Sequence, residues 1–205
     1  MKRTLLTAAL AASALSIGSD MAYSAGHGTY EVDLEVKTTI EAGTCTAEIY
    51  NQSGAKTNTI AMGNVPASQV INPASSSGTP FKIRFSNCSG LPNGTATLKI
   101  DKRAKGCAGD NSDQAGFANS TATSSGGAAA TALELWTGST AGAGTQFNCN
   151  TPDATAQDIN VSSATGSTTV DYDLSARLAK PSGKADTDVA AGTFLAETTF
   201  VISYK

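Results

Sequence analysis

Residues 192–205, GTFLAETTFVISYK, are the most regular β-pattern in the sequence. Its apolar residues recur every second position, which is the period of a β-strand. One face of that strand carries Phe194, Ala196, Thr198, Phe200, Ile202 and Tyr204. The other face is mixed, with Glu197, Thr199, Ser203 and Lys205 beside Leu195 and Val201. A terminal strand this regular either has a neighbour on both sides or presents an open edge.

A second alternating stretch lies near the other end of the chain. Its apolar positions are Tyr30, Val32, Leu34 and Val36, and they alternate with Glu31, Asp33, Glu35 and Lys37. This pattern predicts a strand with one apolar and one charged face. A lone strand is not stable, so this segment requires a sheet to join.

Between these ends, short alternating runs bounded by Gly, Pro, Asn and Ser predict further strands at 44–50, 81–85, 95–100, 132–136, 170–179 and, at the end, 194–204. No long stretch keeps the 3.6-residue period of a helix. The pattern is typical of an all-β antiparallel sandwich. Residues 105–130 and 138–144, rich in Gly, Ser, Ala and Thr, are predicted to be loops.

The first 25 residues predict a secretory signal peptide. Lys2 and Arg3 precede an apolar run at 5–17, and small residues surround Ser24 and Ala25. About 180 residues would remain, which suits one domain. The 205-residue chain has a formal charge of −3 and a pI near 5.1, which excludes a basic nucleic-acid binder and a highly charged disordered chain. We expect an exported, soluble product.

Export into an oxidising compartment makes disulfides the natural interpretation of Cys45, Cys88, Cys107 and Cys149. Three connectivities are possible, and we favour the sequential one, Cys45 with Cys88 and Cys107 with Cys149. Each bridge would close a loop of about 43 residues and add roughly 4 kcal/mol in the chain-entropy model. Zinc is disfavoured because the chain has one histidine and no CxxC pair.

Catalytic chemistry is hard to assemble from this sequence. The one histidine, His27, lies at the start of the mature chain. A Ser-His-Asp or Cys-His arrangement would therefore need the N-terminal tail to supply the general base. The acidic loop 110–113 lacks the twelve-position pattern of a calcium loop and is interpreted as solvated. No cofactor, no metal and no catalytic residue is expected. Trp136, which alternation places with Glu134 on the face opposite Leu133 and Leu135, could stack on a ligand or lie in a contact.

Several segments together resemble the subunits of chaperone-usher fimbriae, the pilins of type 1 and related pili. They are residues 40–45 leading into a strand, 80–88 (PFKIRFSNC), 172–178 (YDLSARL) and 192–205. The last resembles the C-terminal signature of the family, with Gly192 fourteenth from the end and Tyr204 penultimate. The resemblance extends over essentially the whole mature chain.

The resemblance implies an incomplete immunoglobulin-like antiparallel sandwich lacking its last strand. A signal peptide (1–25) and an N-terminal donor-strand extension (26–41) would precede the pilin domain (42–205). A neighbouring subunit would insert donor residues into a groove beside the C-terminal strand, as in other cases of strand addition. The donor residues would be Tyr30, Val32, Leu34 and Val36. The groove would be lined by Phe194, Ala196, Phe200, Ile202 and Tyr204.

The implied partners are neighbouring fimbrial subunits, a periplasmic chaperone anchored at the Lys205 carboxylate, and an outer-membrane usher. The implied function is a structural subunit of a bacterial surface fimbria, exported through the periplasm and supporting adhesion. No nucleic acid is implied.

Three alternatives remain open at this stage. The N-terminal strand could fold back beside the C-terminal strand of its own chain, because alternation does not distinguish pairing within a chain from pairing between chains. The chain could be a minor or tip subunit that binds a glycan, with Trp136 as the stacking residue. A secreted enzyme or metal protein of similar fold is disfavoured by the lack of clustered ligands.

Overall fold

The computed structural model describes residues 43–103, 105–110 and 114–205, and in this part of the chain the fold is almost entirely β. The long strands are β1 (Thr44–Asn51), β2 (Thr79–Ser89), β3 (Thr95–Lys102), β6 (Ala132–Thr137), β9 (Val170–Ala179) and β10 (Thr198–Tyr204). The short strands are β4 (Cys107–Ala108), β5 (Gly116–Ala118), β7 (Gln146–Phe147) and β8 (Gln157–Asn160). One short α-helix, α1 (Ala67–Ile71), lies between β1 and β2.

The strands form two antiparallel sheets. The larger has the order β1-β2-β9-β6-β5-β4, with β7 also paired to β6, and the smaller has the order β10-β3-β8. Phe81, Ile83 and Phe85 of β2 face Ala96, Leu98 and Ile100 of β3 in one core cluster, and all six side chains are buried. This is a two-layer sandwich consistent with the immunoglobulin-like fold of fimbrial proteins, and it confirms the predicted fold class.

The strongest alternating runs were predicted well. Strand β9 occupies the predicted residues 170–179, and β1, β2, β3 and β6 contain the predicted cores with a few residues added at their ends. Strands β2 and β3 bury alternate side chains, so the two-residue period carries the information that fixes them. The 138–144 stretch is a turn region, as predicted.

The prediction of a loop at 105–130 was wrong in part. We call the described residues of this range, 105–110 and 114–130, the insert. Within it, β4 and β5 extend the larger sheet beyond β6, and Phe117 of β5 is 1% exposed in the core. The two short strands carry no alternating pattern of their own. They form because β6 offers an edge to which they can bond.

The predicted strand 194–204 was also too long at its start. Strand β10 begins at Thr198, because β3, its ladder partner, ends at Lys102, which lies opposite Thr198. Residues 193–195 bond to the insert instead.

Both disulfides have the sequential pairing favoured above. Cys45 is bonded to Cys88 and Cys107 to Cys149. The first bridge joins the start of β1 to the end of β2. The second ties the insert to the segment after β7.

Several predictions fall on residues that the structure does not describe. They are the signal peptide at 1–25, His27, the donor residues Tyr30, Val32, Leu34 and Val36, and part of the acidic loop 110–113. In the described residues, no helix has the length and apolarity needed to cross a membrane.

Candidate functional site: the open edge of the C-terminal strand

The backbone of β10 bonds on one side to β3, and the pairing identifies which residues face each way. Lys205 donates its N–H to the Thr95 carbonyl at 2.9 Å, and Arg103 donates to the Glu197 carbonyl at 3.3 Å. In an antiparallel ladder such bonded pairs recur at every second residue. The odd-numbered residues of β10 therefore bond to β3. The N–H and C=O groups of the even-numbered residues point away from it.

We call this outward side, the backbone groups of residues 194, 196, 198, 200, 202 and 204, the acceptor edge. The described part of the chain contains no strand that pairs with it. Unpaired backbone donors and acceptors along a strand are a template for another strand. At about 3.3 Å per residue the edge is roughly 36 Å long.

The side chains of the same even-numbered residues point inward. Phe194, Ala196, Phe200, Ile202 and Tyr204, which the sequence predicts on one face, are all partly buried and packed against the core cluster. The Phe200 ring meets the ring of Phe81 edge to face, with centroids 6.2 Å apart. Core-facing side chains that stay partly exposed indicate an incompletely covered core at this edge.

Strand β1 forms the opposite wall. It pairs with β2 alone among the described strands, and its inward residues Cys45, Ala47 and Ile49 are also partly buried against the core. The far end of β1 is covered, since Thr57 donates its N–H to the Ile49 carbonyl at 2.9 Å. Cys45, Ala47 and Ile49 alternate with polar residues in TCTAEIY, but this run is too short to have predicted the wall.

Tyr204 spans the two walls at one end. Its hydroxyl donates to the backbone carbonyl oxygen of Cys45 at 3.1 Å. Burial raises the pKa of the Tyr204 hydroxyl above its usual value. Tyr204 therefore remains a hydrogen-bond donor throughout the physiological pH range.

Lys205 follows at the end of β10. Its ammonium lies 3.2 Å from Asp158 Oδ1, at an exposed position on the smaller sheet. The pKa of Asp158 is lowered, first by the hydrogen bond from Thr97 and then by Lys205. The predicted chaperone anchor is thus at the exposed end of the acceptor edge.

Gly192 is packed tightly against the insert. A Cβ atom there would lie 2.5 Å from the Ala128 nitrogen and 2.6 Å from the Gly126 carbonyl oxygen, distances that real Cβ atoms do not reach. Glycine is thus required at this signature position for space.

Trp136 lies with Glu134 on the outer face of the larger sheet, as alternation predicts. The indole Nε1–H donates to Glu134 Oε2 at 3.0 Å, and the Arg177 guanidinium lies 5.0 Å from the ring centroid. Arg177 Nε is also 2.6 Å from Glu134 Oε2. The polar end and one face of the ring are engaged within the chain, which leaves less of the indole for stacking on a ligand.

Among the described residues, no group of three His, Cys, Asp or Glu side chains is placed to hold a metal ion. The chemistry available at the open edge is therefore that of backbone hydrogen bonds and apolar contact. Such an edge binds an extended peptide.

In the described part of the chain the C-terminal strand lies at the edge of a β-sandwich, and comparison with known proteins gives the family. Residues 34–205 match the family model described as fimbrial protein, so the chain belongs to the fimbrial protein family. It is 38% identical over 194 residues to the uncharacterized fimbrial-like protein YadL of Escherichia coli strain K12, covering 94% of this chain and 92% of that protein. This is a family of structural proteins rather than enzymes.

Proposed function

We propose that this chain is a structural subunit of a bacterial surface fimbria and that it polymerises by donor-strand exchange. In each contact, the segment at 26–41 of one subunit adds a strand along the acceptor edge of the next. Tyr30, Val32, Leu34 and Val36 of the donor cover the partly exposed core between β1 and β10. The polymer supports adhesion of the cell that carries it.

The single observation that carries this proposal is the acceptor edge, where no described strand pairs with the backbone and the same even-numbered residues carry partly buried apolar side chains. An added strand would hydrogen-bond to these backbone groups and cover these side chains. Burying four donor side chains at about 1.5 to 3 kcal/mol each gives roughly 6 to 12 kcal/mol before ordering costs. Ladder hydrogen bonds add to that sum. Contacts of this size support a fibre without covalent links.

The proposed route uses a periplasmic chaperone and an outer-membrane usher. An unprotected apolar edge invites aggregation, so the subunit requires a temporary partner between export and assembly. The exposed Lys205 carboxylate, at the end of the acceptor edge, is the anchor for the chaperone.

Replacing an inward donor residue tests this division of roles. Leu34→Asp places a charge in the groove and is expected to abolish polymer formation while leaving the chaperone complex intact, because the donor segment takes no part in that complex. Asp33→Ala, on the opposite face of the same segment, is the matched control and is expected to polymerise normally. The readout is the ladder of oligomers in non-denaturing conditions and co-purification with the chaperone.

Two results would contradict the proposal. Normal polymer formation by Leu34→Asp would remove the donor assignment. Loss of the chaperone complex in the same variant would show that the donor segment is needed for folding of the chain's own domain, as in the alternative of pairing within one chain.

A further inference from the structure

We propose that the insert is a brace that lengthens the acceptor edge, with Asn119 as its positioning residue. This inference rests on the proposed function, because it concerns the strand that accepts the donor. Strand β3 supports the C-terminal strand only as far as residues 197 and 198. The backbone of the insert bonds to the residues that precede these, 193 and 195.

The backbone bonds of this segment continue the alternation of β10. Leu195 accepts at its carbonyl from the Ser120 N–H at 2.6 Å, and Thr193 accepts from the Ala128 N–H at 2.9 Å. Like the residues that bond to β3, these are odd-numbered. The even residues Phe194 and Ala196 therefore present their backbone groups on the same side as residues 198–204. The brace makes one continuous edge out of two differently supported pieces.

Asn119 connects the two segments through both ends of its amide. Its Nδ2 donates to the Thr193 carbonyl at 2.9 Å and to the Ala128 carbonyl at 3.1 Å. Its Oδ1 accepts from the Leu195 N–H at 3.1 Å and from the Thr121 N–H at 3.0 Å. One side chain thus substitutes for a ladder partner where no strand is present.

The brace is itself held in place. Phe117, two residues before Asn119, is buried in the core, and the Cys107–Cys149 bridge joins the insert to the segment after β7. Cys149 also donates its N–H to the Ala115 carbonyl at 2.9 Å. The close fit at Gly192 leaves the C-terminal segment little freedom to shift against the insert.

Amide hydrogen exchange, followed residue by residue by NMR, tests the brace. The sample is the mature chain with a second copy of residues 28–41 attached after Lys205 through a short flexible linker, which we call the tethered chain. In the unaltered tethered chain, the amides of Phe194 and Ala196 are expected to be protected together with those of Phe200, Ile202 and Tyr204. In Asn119→Ala, protection of Phe194 and Ala196 should fall about tenfold or more, with Phe200 to Tyr204 unchanged.

Asn160→Ala is the matched control. Asn160 is the last residue of β8, and its Oδ1 accepts from the Ser162 N–H at 3.0 Å. Asn160→Ala therefore also removes a side-chain amide that bonds to the backbone, but at a position outside the insert. It should leave all five amides protected. The pair Cys107→Ala with Cys149→Ala loosens the brace by a second route, so Phe194 and Ala196 should lose more protection than Phe200, Ile202 and Tyr204, over and above any loss that all five amides share.

The outcomes separate the brace from the function on which it rests. Continued protection of Phe194 and Ala196 in Asn119→Ala and in the paired cysteine variant overturns the brace and leaves the donor intact. Uniform loss of protection at all five amides shows a general structural role and also overturns it. Unprotected Phe200, Ile202 and Tyr204 in the unaltered tethered chain would instead contradict donor pairing itself. Should Asn119→Ala not fold, the paired cysteine variant decides the question.

Discussion

The Tyr204 hydroxyl donates a hydrogen bond to the backbone carbonyl oxygen of Cys45 at 3.1 Å, across 159 residues of sequence. The two residues belong to different sheets, and among the described strands each lies in an end strand of its own sheet. The bond therefore fixes the distance between β1 and β10 at one end of the groove. It gives the penultimate tyrosine a structural role that does not depend on any partner.

Removing this hydroxyl is the first prediction. Tyr204→Phe should lower the free energy of unfolding of the tethered chain by about 1 kcal/mol, because it removes the hydrogen bond that joins β10 to the Cys45 carbonyl of β1. Tyr50→Phe is the control, since the Tyr50 hydroxyl bonds to the exposed-face carboxylate of Glu48 and should matter less. Urea denaturation measures both. Equal effects of the two changes would contradict the assigned role of Tyr204.

Acid stability should depend on Asp171. Arg84 Nε lies 2.6 Å from Asp171 Oδ1, and Lys82 Nζ lies 2.6 Å from Oδ2. The bond from Arg84, followed by that from Lys82, lowers the pKa of Asp171 to about 2, despite partial burial. The ordinary aspartate pKa is about 3.9.

Because the folded-state pKa is depressed, the stabilisation by Asp171 is fully present above about pH 4 and is lost as the pH falls towards 2. Asp171→Asn should lower the urea concentration at the midpoint of unfolding at pH 7. It should also make the free energy of unfolding fall less steeply between pH 4 and 2. Asp173→Asn, two residues along the same strand, is the control. An unchanged acid slope in Asp171→Asn would contradict the assignment.

The second disulfide should contribute strongly to stability. Cys107 and Cys149 are separated by 42 residues, and a loop of that length corresponds to about 4 kcal/mol in the chain-entropy model. The paired alanine variant should unfold at correspondingly lower urea concentration. A loss well under 1 kcal/mol would mean that the insert is held by its other contacts, Phe117 above all.

The lack of room for a side chain at Gly192 gives a further prediction. Gly192→Ala should cost about 1 to 3 kcal/mol, because the new methyl group meets the backbone at Gly126, Gly127 and Ala128. Ala191→Ser changes an exposed neighbour and should be close to neutral. Thermal unfolding of the tethered chain compares them. An unchanged thermal stability of Gly192→Ala would show that the insert moves to accommodate the methyl group, and would contradict a rigid brace.

The sequence predicted what its alternation encodes and missed what depends on distant partners. Strand β3 and the inward set from Phe194 to Tyr204 have a period of two, so each strand specifies its own buried face. Residues 116–118, Gly-Phe-Ala, have no such period and become a strand only because β6 offers its edge. The role of Asn119 was equally hidden, since an asparagine in a polar loop normally indicates a turn.

The shared face of Phe194, Ala196, Phe200, Ile202 and Tyr204 was predicted from the sequence, whereas the residues of β1 across from it were not assigned. The residues of β10 form a regular run at the end of the chain, whereas Ala47 and Ile49 lie in a shorter run beside a cysteine. Which edges stay open is a property of strand order, and strand order is set by contacts far apart in the sequence.

The most direct measurement is the stability of the tethered chain beside that of the unmodified mature chain. If a neighbouring donor completes the fold, the tethered chain should be a heat-resistant monomer and the unmodified chain should aggregate without its chaperone. A tethered chain carrying Val32→Asp and Leu34→Asp in the added copy should behave like the unmodified chain. Monomers of equal thermal stability in all three samples would contradict the account, because they would show that no strand is missing.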